Sequence, residues 1–187
     1  ETGLAFRWSD DVLRNAIEFF DHAKNAEIIL GGGIERTFAA CLRLSSVVNG
    51  EPSPYNDLAE IVGENKRKIR NKLNRIATET PVRQEVDMQE LIVDPVDCVP
   101  YIQEHFPSDI HNELFDEVRH RLETVDTNST SPWTEAGAAT YAVLDELNTH
   151  HTQEDIGDIV SLSTVSLRNN YSKYQSEEFS RVDKSII

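Results

Sequence analysis

The chain has 187 residues, 39% of them hydrophobic, and its 33 acids against 18 bases leave a formal net charge of −15. That length fits one large domain or two of about 90 residues, and that charge argues against a generic basic nucleic-acid binder. Twelve of the bases are arginine and six are lysine; an acid-rich, lysine-poor surface suits molar salt, where the Debye length falls to about 3 Å, so a halophilic source is expected.

Apolar spacing is helical almost throughout, and no convincing strand emerges, so the fold class is all-α. Val12, Ile17, Phe20 and Ala23 mark the inner face of a first helix, capped by Ser9 with Asp10 and Asp11 in its first turn. Gly31-Gly32-Gly33 interrupt the chain as an interhelical turn. With no strand before them and no Gly-Lys-Ser/Thr after them, they are a poor phosphate cradle. A second helix runs from Ile34 to Val48, its small residues Ala39-Ala40-Cys41 letting neighbours approach closely, and Asn49-Gly50 ends it. Pro54 starts a third helix carrying Leu58, Ile61 and Val62. Gly63 is the turn, and residues 65–77 form the next helix. From Pro81 to about Val96 the chain is polar and weakly periodic, with Asp94-Pro95 and Val99-Pro100 as turns. It reads as a linker (81–96) between a first repeat (1–80) and a second (97–187). In the second repeat 109–125 is helical, 127–132 a loop, and 134–147 a helix with the small-residue core Ala136-Gly137-Ala138-Ala139. Thr152 then caps 153–160, Ser161-Leu162 turn, and 163–174 is the last strong helix.

The division into repeats rests on a sequence written twice. Asp57-Leu58-Ala59-Glu60-Ile61-Val62 with Ile69-Arg70-Asn71 returns 98 positions later as Asp155-Ile156-Gly157-Asp158-Ile159-Val160 with Leu167-Arg168-Asn169. Each copy closes its half on a candidate helix-turn-helix, a unit whose second helix enters the major groove with its N-terminal residues toward base edges. In the second copy Gly157 leaves room for a close crossing, and Leu167 and Tyr171 should face the core. Val165 and Arg168 should face outward, where a valine methyl suits a thymine methyl and an arginine pairs bidentately with guanine. Ser163, Thr164 and Asn169 complete the candidate DNA-facing set of that helix. In the first copy Lys66, Arg67, Lys68, Arg70, Lys72 and Arg75 place six of the eighteen bases within twelve residues. Contacts from such a face go mostly to phosphates and set position rather than sequence. A solvated face, an acidic protein partner, or two merely packed helices are the competing readings.

Other motifs point nowhere further. Cys41 and Cys98 lie in unlike contexts and form no C-x-x-C, so neither a disulfide framework nor a zinc site is expected. Cys41 reads as a small apolar filler. Adjacent His150-His151 make a poor metal site, and Asn128-Ser129-Thr130 matches a glycosylation acceptor that is idle inside a cell. No Ser/His/Asp or paired-carboxylate arrangement stands out, so a binding protein without cofactor is expected rather than an enzyme. No apolar run approaches the ~20 residues of a membrane span and no signal peptide opens the chain, which predicts an intracellular soluble protein. The opening Glu1-Thr2-Gly3 lacks a methionine, consistent with a fragment.

The second half resembles the C-terminal core of archaeal transcription initiation factor B, the counterpart of the eukaryotic general factor IIB. The residues that carry the likeness are Ser131-Pro132 with Ala136-Gly137-Ala138-Ala139-Thr140-Tyr141-Ala142, then Thr152-Gln153-Glu154-Asp155-Ile156, then Val165-Ser166-Leu167-Arg168-Asn169-Asn170-Tyr171. They are similar to that family's SP-x-G-[IL]-A-A-A-A-x-Y helix, its TQ-x-E-[IV] helix start and its V-T-[IV]-R-N-R-Y recognition helix. Val93-Asp94-Pro95 followed by Val99-Pro100 resembles its inter-repeat linker, and Gly33-Ile34-Glu35 is a looser match in the first repeat.

The resemblance implies two tandem cyclin-like repeats of five helices, each ending in a helix-turn-helix, in a cytoplasmic, nucleoid-associated prokaryotic protein. It implies TATA-binding protein and double-stranded promoter DNA as partners, with the second repeat reading the B recognition element upstream of the TATA box. It assigns base reading to Val165 and Arg168 and phosphate contact to Thr152 and Gln153. Backbone contacts by Lys66, Arg67, Lys68 and Arg70 rest on charge and repeat equivalence. Three departures stand out: the family's N-terminal zinc ribbon, which engages RNA polymerase, is not in this sequence; its arginine after Arg-Asn is Asn170; and its Gly-Arg-Ser-Ile-Glu is Gly31-Gly32-Gly33-Ile34-Glu35. A regulatory paralogue without the ribbon, using its repeats as a protein-docking scaffold or repressor, is the alternative. A stand-alone helix-turn-helix regulator is a third.

Overall fold

A computed structural model describes residues 8–29, 33–86, 93–106, 112–125 and 131–175, and every regular element among them is helical. The chain divides into two compact units, Glu1–Val93 and Asp94–Ile187. Gly31, Gly32 and the loop 127–130 lie outside the described residues.

In the first unit α1 (Asp10–Asn25) opens on Ser9, whose hydroxyl accepts the Val12 N–H, with Asp10 and Asp11 against the helix dipole. Its buried positions are Val12, Ala16, Phe19 and Ala23. Of the inner face read from the sequence, Val12 and Ala23 are core and Phe20 packs partly buried against it. Ile17 is instead 57% exposed, because a five-residue step turns it about 140° from Val12 on a helix of 3.6 residues per turn. α2 (Ile34–Val48) is the central helix and packs against α1, α3 (Tyr55–Val62) and α4 (Lys66–Glu79). Its fully buried Ala39, Ala40 and Cys41 permit those approaches. Ile28, Leu58, Ile69 and Ile76 fill the space around it, each contributing about 1.5–3 kcal/mol through burial. α5 (Val82–Glu85) follows α4 directly and lodges Val82 and Val86 in the same core. The stretch from Pro81 to Val86, expected to be linker, therefore belongs to the first unit; two valines four apart close one turn of helix even in a polar segment.

The second unit begins with a short 3₁₀ turn, Pro95–Cys98, held by a reciprocal capping box between Asp94 and Asp97, and continues into α6 (Val99–Glu104). Asp94-Pro95 and Val99-Pro100 therefore start helical turns, where a proline's missing N–H has no cost. α7 (Asn112–Thr124), α8 (Pro132–Glu146), α9 (Gln153–Ile159) and α10 (Thr164–Tyr171) complete the unit, with a last 3₁₀ turn at Ser172–Tyr174. α8 is central, buried along most of its length and packed against α7, α9 and α10.

The two units share a register. α2 and α8 are both 15 residues long and start 98 positions apart, and α4 and α10 start at the same separation. The turn between α3 and α4 is left-handed at Gly63, and the turn between α9 and α10 is left-handed at Ser161, again 98 on. Gly50 and Asn148, after the central helices, form a second such pair. Three helix pairs correspond in this way, α2 with α8, α3 with α9 and α4 with α10; α6 has no counterpart among the described residues of the first unit.

Candidate nucleic-acid interface

The α9–turn–α10 pair is built by three local devices. Thr152 caps α9: its Oγ1 accepts the Asp155 N–H (3.2 Å), and Asp155 Oδ2 accepts the Thr152 N–H (2.7 Å). The Thr152 N–H and the Thr152 hydroxyl, both donating to Oδ2, hold the Asp155 carboxyl below its ordinary pKa. Ser163 caps α10 by accepting the Ser166 N–H. Gly157 makes the turn possible, since a Cβ there would lie 2.8 Å from the Leu162 carbonyl oxygen. Sequence reasoning expected Gly157 to admit the second helix; it is the turn itself that needs the space.

α10 then docks by Leu167, which is fully buried against Gly137 of α8, where an added Cβ would meet Leu167 Cδ2 at 3.0 Å. Tyr171 lies edge-on to Tyr141, ring centroids 5.3 Å apart. With Leu167 inward, Val165 is 59% exposed and Arg168 and Asn169 also reach solvent, while Ser163 is exposed at the N-cap and Thr164 is half-buried. Thr152 is exposed but engaged in its capping box, and half-buried Gln153 hydrogen-bonds the Tyr141 hydroxyl. The N-terminus of α9 already holds the Asp155 carboxylate, so a phosphate there would share its donors with an anion.

The far end of α10 is fastened by a polar cluster that the sequence did not single out. Glu135, on α8, is wholly buried. Its Oε1 accepts from Lys173 Nζ at 2.7 Å and its Oε2 from the Tyr174 hydroxyl at 2.5 Å. Burial and this carboxylate push the Tyr174 phenol well above its usual range. Arg121 of α7 is also buried, bidentate to Glu146 (3.0 and 2.8 Å), bonded to Glu117 (2.7 Å) and donating to the Tyr174 carbonyl at 2.6 Å. A charged residue inside a helix otherwise rich in alanine was the available signal.

In the first unit the α3–turn–α4 pair presents a different chemistry on the same frame. Asn65 caps α4 by accepting the Arg67 N–H. Ile69 is buried at the register of Leu167, so Lys66, Arg67, Lys68 and Arg70 are exposed. Two of the six bases read as one face are committed to the fold instead. Lys72 is buried and donates to the Ile28 carbonyl at 2.6 Å, burial lowering its pKa. Arg75 is chelated by Glu79. Lys68 lies 3.6 Å from Glu64, which Arg36 also holds, and the Arg70 guanidinium sits over the Tyr55 ring, 5.3 Å from its centroid. Lys66 and Arg67 make no ion pair among the described residues.

No group of three or more metal-ligating side chains exists among the described residues, and no helix there is long and apolar enough to cross a membrane. What the helices define is an all-helical protein with two turn-linked helix pairs facing solvent, one basic and one mixed. Known proteins with similar sequences are archaeal transcription initiation factors IIB. The chain is 24% identical to that of Methanothrix thermoacetophila over 171 residues, 90% of this chain and 49% of the relative. It is 26% identical to factor IIB 3 of Halobacterium salinarum, over 81% of this chain and 47% of the relative. It is 24% identical to the factor of Methanococcus maripaludis, over 86% and 46%. The chain thus spans about half the length of the curated relatives it matches. No protein-family model matches it. The likeness to factor IIB is a property of nearly the whole chain, not of one motif.

Proposed function

We propose that this chain is a factor IIB-type core that binds the complex of TATA-binding protein with promoter DNA and orients the initiation complex on it. One observation carries the reading: α10 buries Leu167 and turns Val165 and Arg168 outward, in a chain that is similar to factor IIB over most of its length. On this reading α10 is the recognition helix of a helix-turn-helix and reads the element upstream of the TATA box in the major groove. Lys66, Arg67, Lys68 and Arg70 of α4 hold phosphates. The protein acts by binding, and RNA polymerase is a partner of the whole factor.

The test is binding to a TATA-containing promoter fragment with and without TATA-binding protein, in high potassium chloride, for wild type and Arg168→Ala. Binding that requires TATA-binding protein and weakens by about 1–3 kcal/mol in the variant, with relaxed preference for the upstream element, supports the assignment. Ternary binding indifferent to Arg168 would overturn base reading by α10.

A further inference from the structure

Glu135 does more than fill a polar hole. Among the described residues of α10 and the 3₁₀ turn that follows, the bases are Arg168 and Lys173. α10 ends at Tyr171, and Lys173 follows in the 3₁₀ turn that continues the helix whose Val165, Arg168 and Asn169 face outward. A lysine at the end of such a helix is within reach of a DNA phosphate, yet its ammonium is turned back into the unit. It sits 2.7 and 2.6 Å from the two Glu135 oxygens, and only 31% of its side chain is exposed. The same carboxylate accepts the Tyr174 hydroxyl, so it is fixed from two sides. The corresponding position of α2, Thr37, is also buried but bonds its own helix at the Gly33 carbonyl, so the carboxylate belongs to the second unit alone.

Resting on the reading of α10 as a DNA-facing helix, we propose that Glu135 is a specificity-determining residue: it captures Lys173 and keeps it from DNA phosphates. Phosphate contacts add affinity for any sequence, so a withheld lysine lowers non-specific binding while base contacts stay intact. Arg168 is left as the outward base of this helix, and discrimination rises as a share of total affinity.

The experiment uses the full chain as wild type, Glu135→Gln, Lys173→Gln and the double variant. Binding to a random-sequence duplex and, with TATA-binding protein, to a promoter duplex is followed across potassium chloride concentrations. Glu135→Gln should bind the random duplex more tightly and steepen the salt slope by about 0.9, one phosphate's worth. Its ratio of promoter to random affinity should fall. Lys173→Gln alone should leave the slope unchanged, and the double variant should return it to the wild-type value. A general loss of folding would weaken binding to both duplexes and cannot mimic a gain. An unchanged slope in folded Glu135→Gln, or a flatter one in Lys173→Gln, overturns the proposal; the second arm decides alone if Glu135→Gln does not fold. Amine-directed labelling separates the layers: Lys173 should be slow in wild type and faster in Glu135→Gln, and equal rates overturn the capture. If labelling changes but wild type binds neither duplex, the reading of α10 fails, and the proposal falls with it for that reason.

Discussion

In the turn between the paired helices a single residue carries the backbone strain. Gly63 and Ser161 take the same left-handed conformation at equivalent places, and a side chain there costs about 1 kcal/mol that glycine avoids. Ser161→Gly should therefore raise stability by about 0.5–1 kcal/mol and Gly63→Ser should lower it by about 1 kcal/mol in urea titrations. Equal and opposite signs are the point; loss of stability in both would show that the Ser161 side chain contributes more than its backbone strain costs. Cys41 gives a chemical readout. Burial in α2 pushes its thiol up to about 12, so it carries almost no thiolate at pH 8 and should resist thiol reagents until denaturant is added. Prompt labelling of the native chain would place Cys41 outside the core.

Among elements, α10 is held at both ends by unlike forces, and each end predicts its own cost. Leu167→Ala should destabilise by about 2–5 kcal/mol, since it opens a cavity beside Gly137 and Val160. Arg121→Ala should cost about 3–5 kcal/mol because Glu146 and the Tyr174 carbonyl would be left buried without their cation. Chemical denaturation followed by circular dichroism measures both, and a loss below 1 kcal/mol in the second would mean that water replaces the guanidinium. The core of α10 was legible in advance: Leu167 inward with Val165 and Arg168 outward follows from period 3.6 alone. α2 was legible to its end residues because Gly33 and Asn49 bracket a continuous apolar face. What periodicity could not show is pairing across helices. Nothing in the local sequence says that Lys173 meets Glu135, 38 residues away, or that Lys72 reaches the Ile28 carbonyl in the turn after α1. The basic face of α4 accordingly looked larger by Lys72 than it is, while the second lost charge, Arg75 paired with Glu79 four residues on in the same helix, was open to local reading. Short helices were missed for a related reason: α5 and α6 hold too few turns to establish a period.

For the whole molecule, charge sets how stability depends on pH. At −15 and neutral pH the chain repels itself, and lowering pH toward its pI of about 4.7 relieves that repulsion. Below that, a second effect takes over. Glu64 and Glu79, hydrogen-bonded by Arg36 and Arg75, and Asp155, bonded by Thr152, have folded pKa values below their ordinary ones. A depressed carboxyl contributes stability above its unfolded value, about 4, and loses it as pH falls through the folded value. Thermal melts in low salt should thus rise from pH 7 to about 5 and fall below about 4. Molar salt should flatten the first limb by screening and leave the short-range bonds of the second largely in place. A monotonic decline from pH 7 in low salt would contradict the self-repulsion.

The shared register has a consequence for length. From Ile34 to Ile69 and from Pro132 to Leu167 the two units keep step through a helix, a loop, a second helix and a turn, with no residue gained or lost between them. Side chains have diverged freely over that span, glycine to serine and alanine to glycine, while the count has not. A helix advances about 100° per residue. One residue inserted inside α10 ahead of Leu167 would therefore carry the leucine to the outward place of Arg168 and bring the polar Ser166 to the buried place of the leucine. Substitution edits what the outward face says; insertion would decide which face is outward, and the fold has room only for the first.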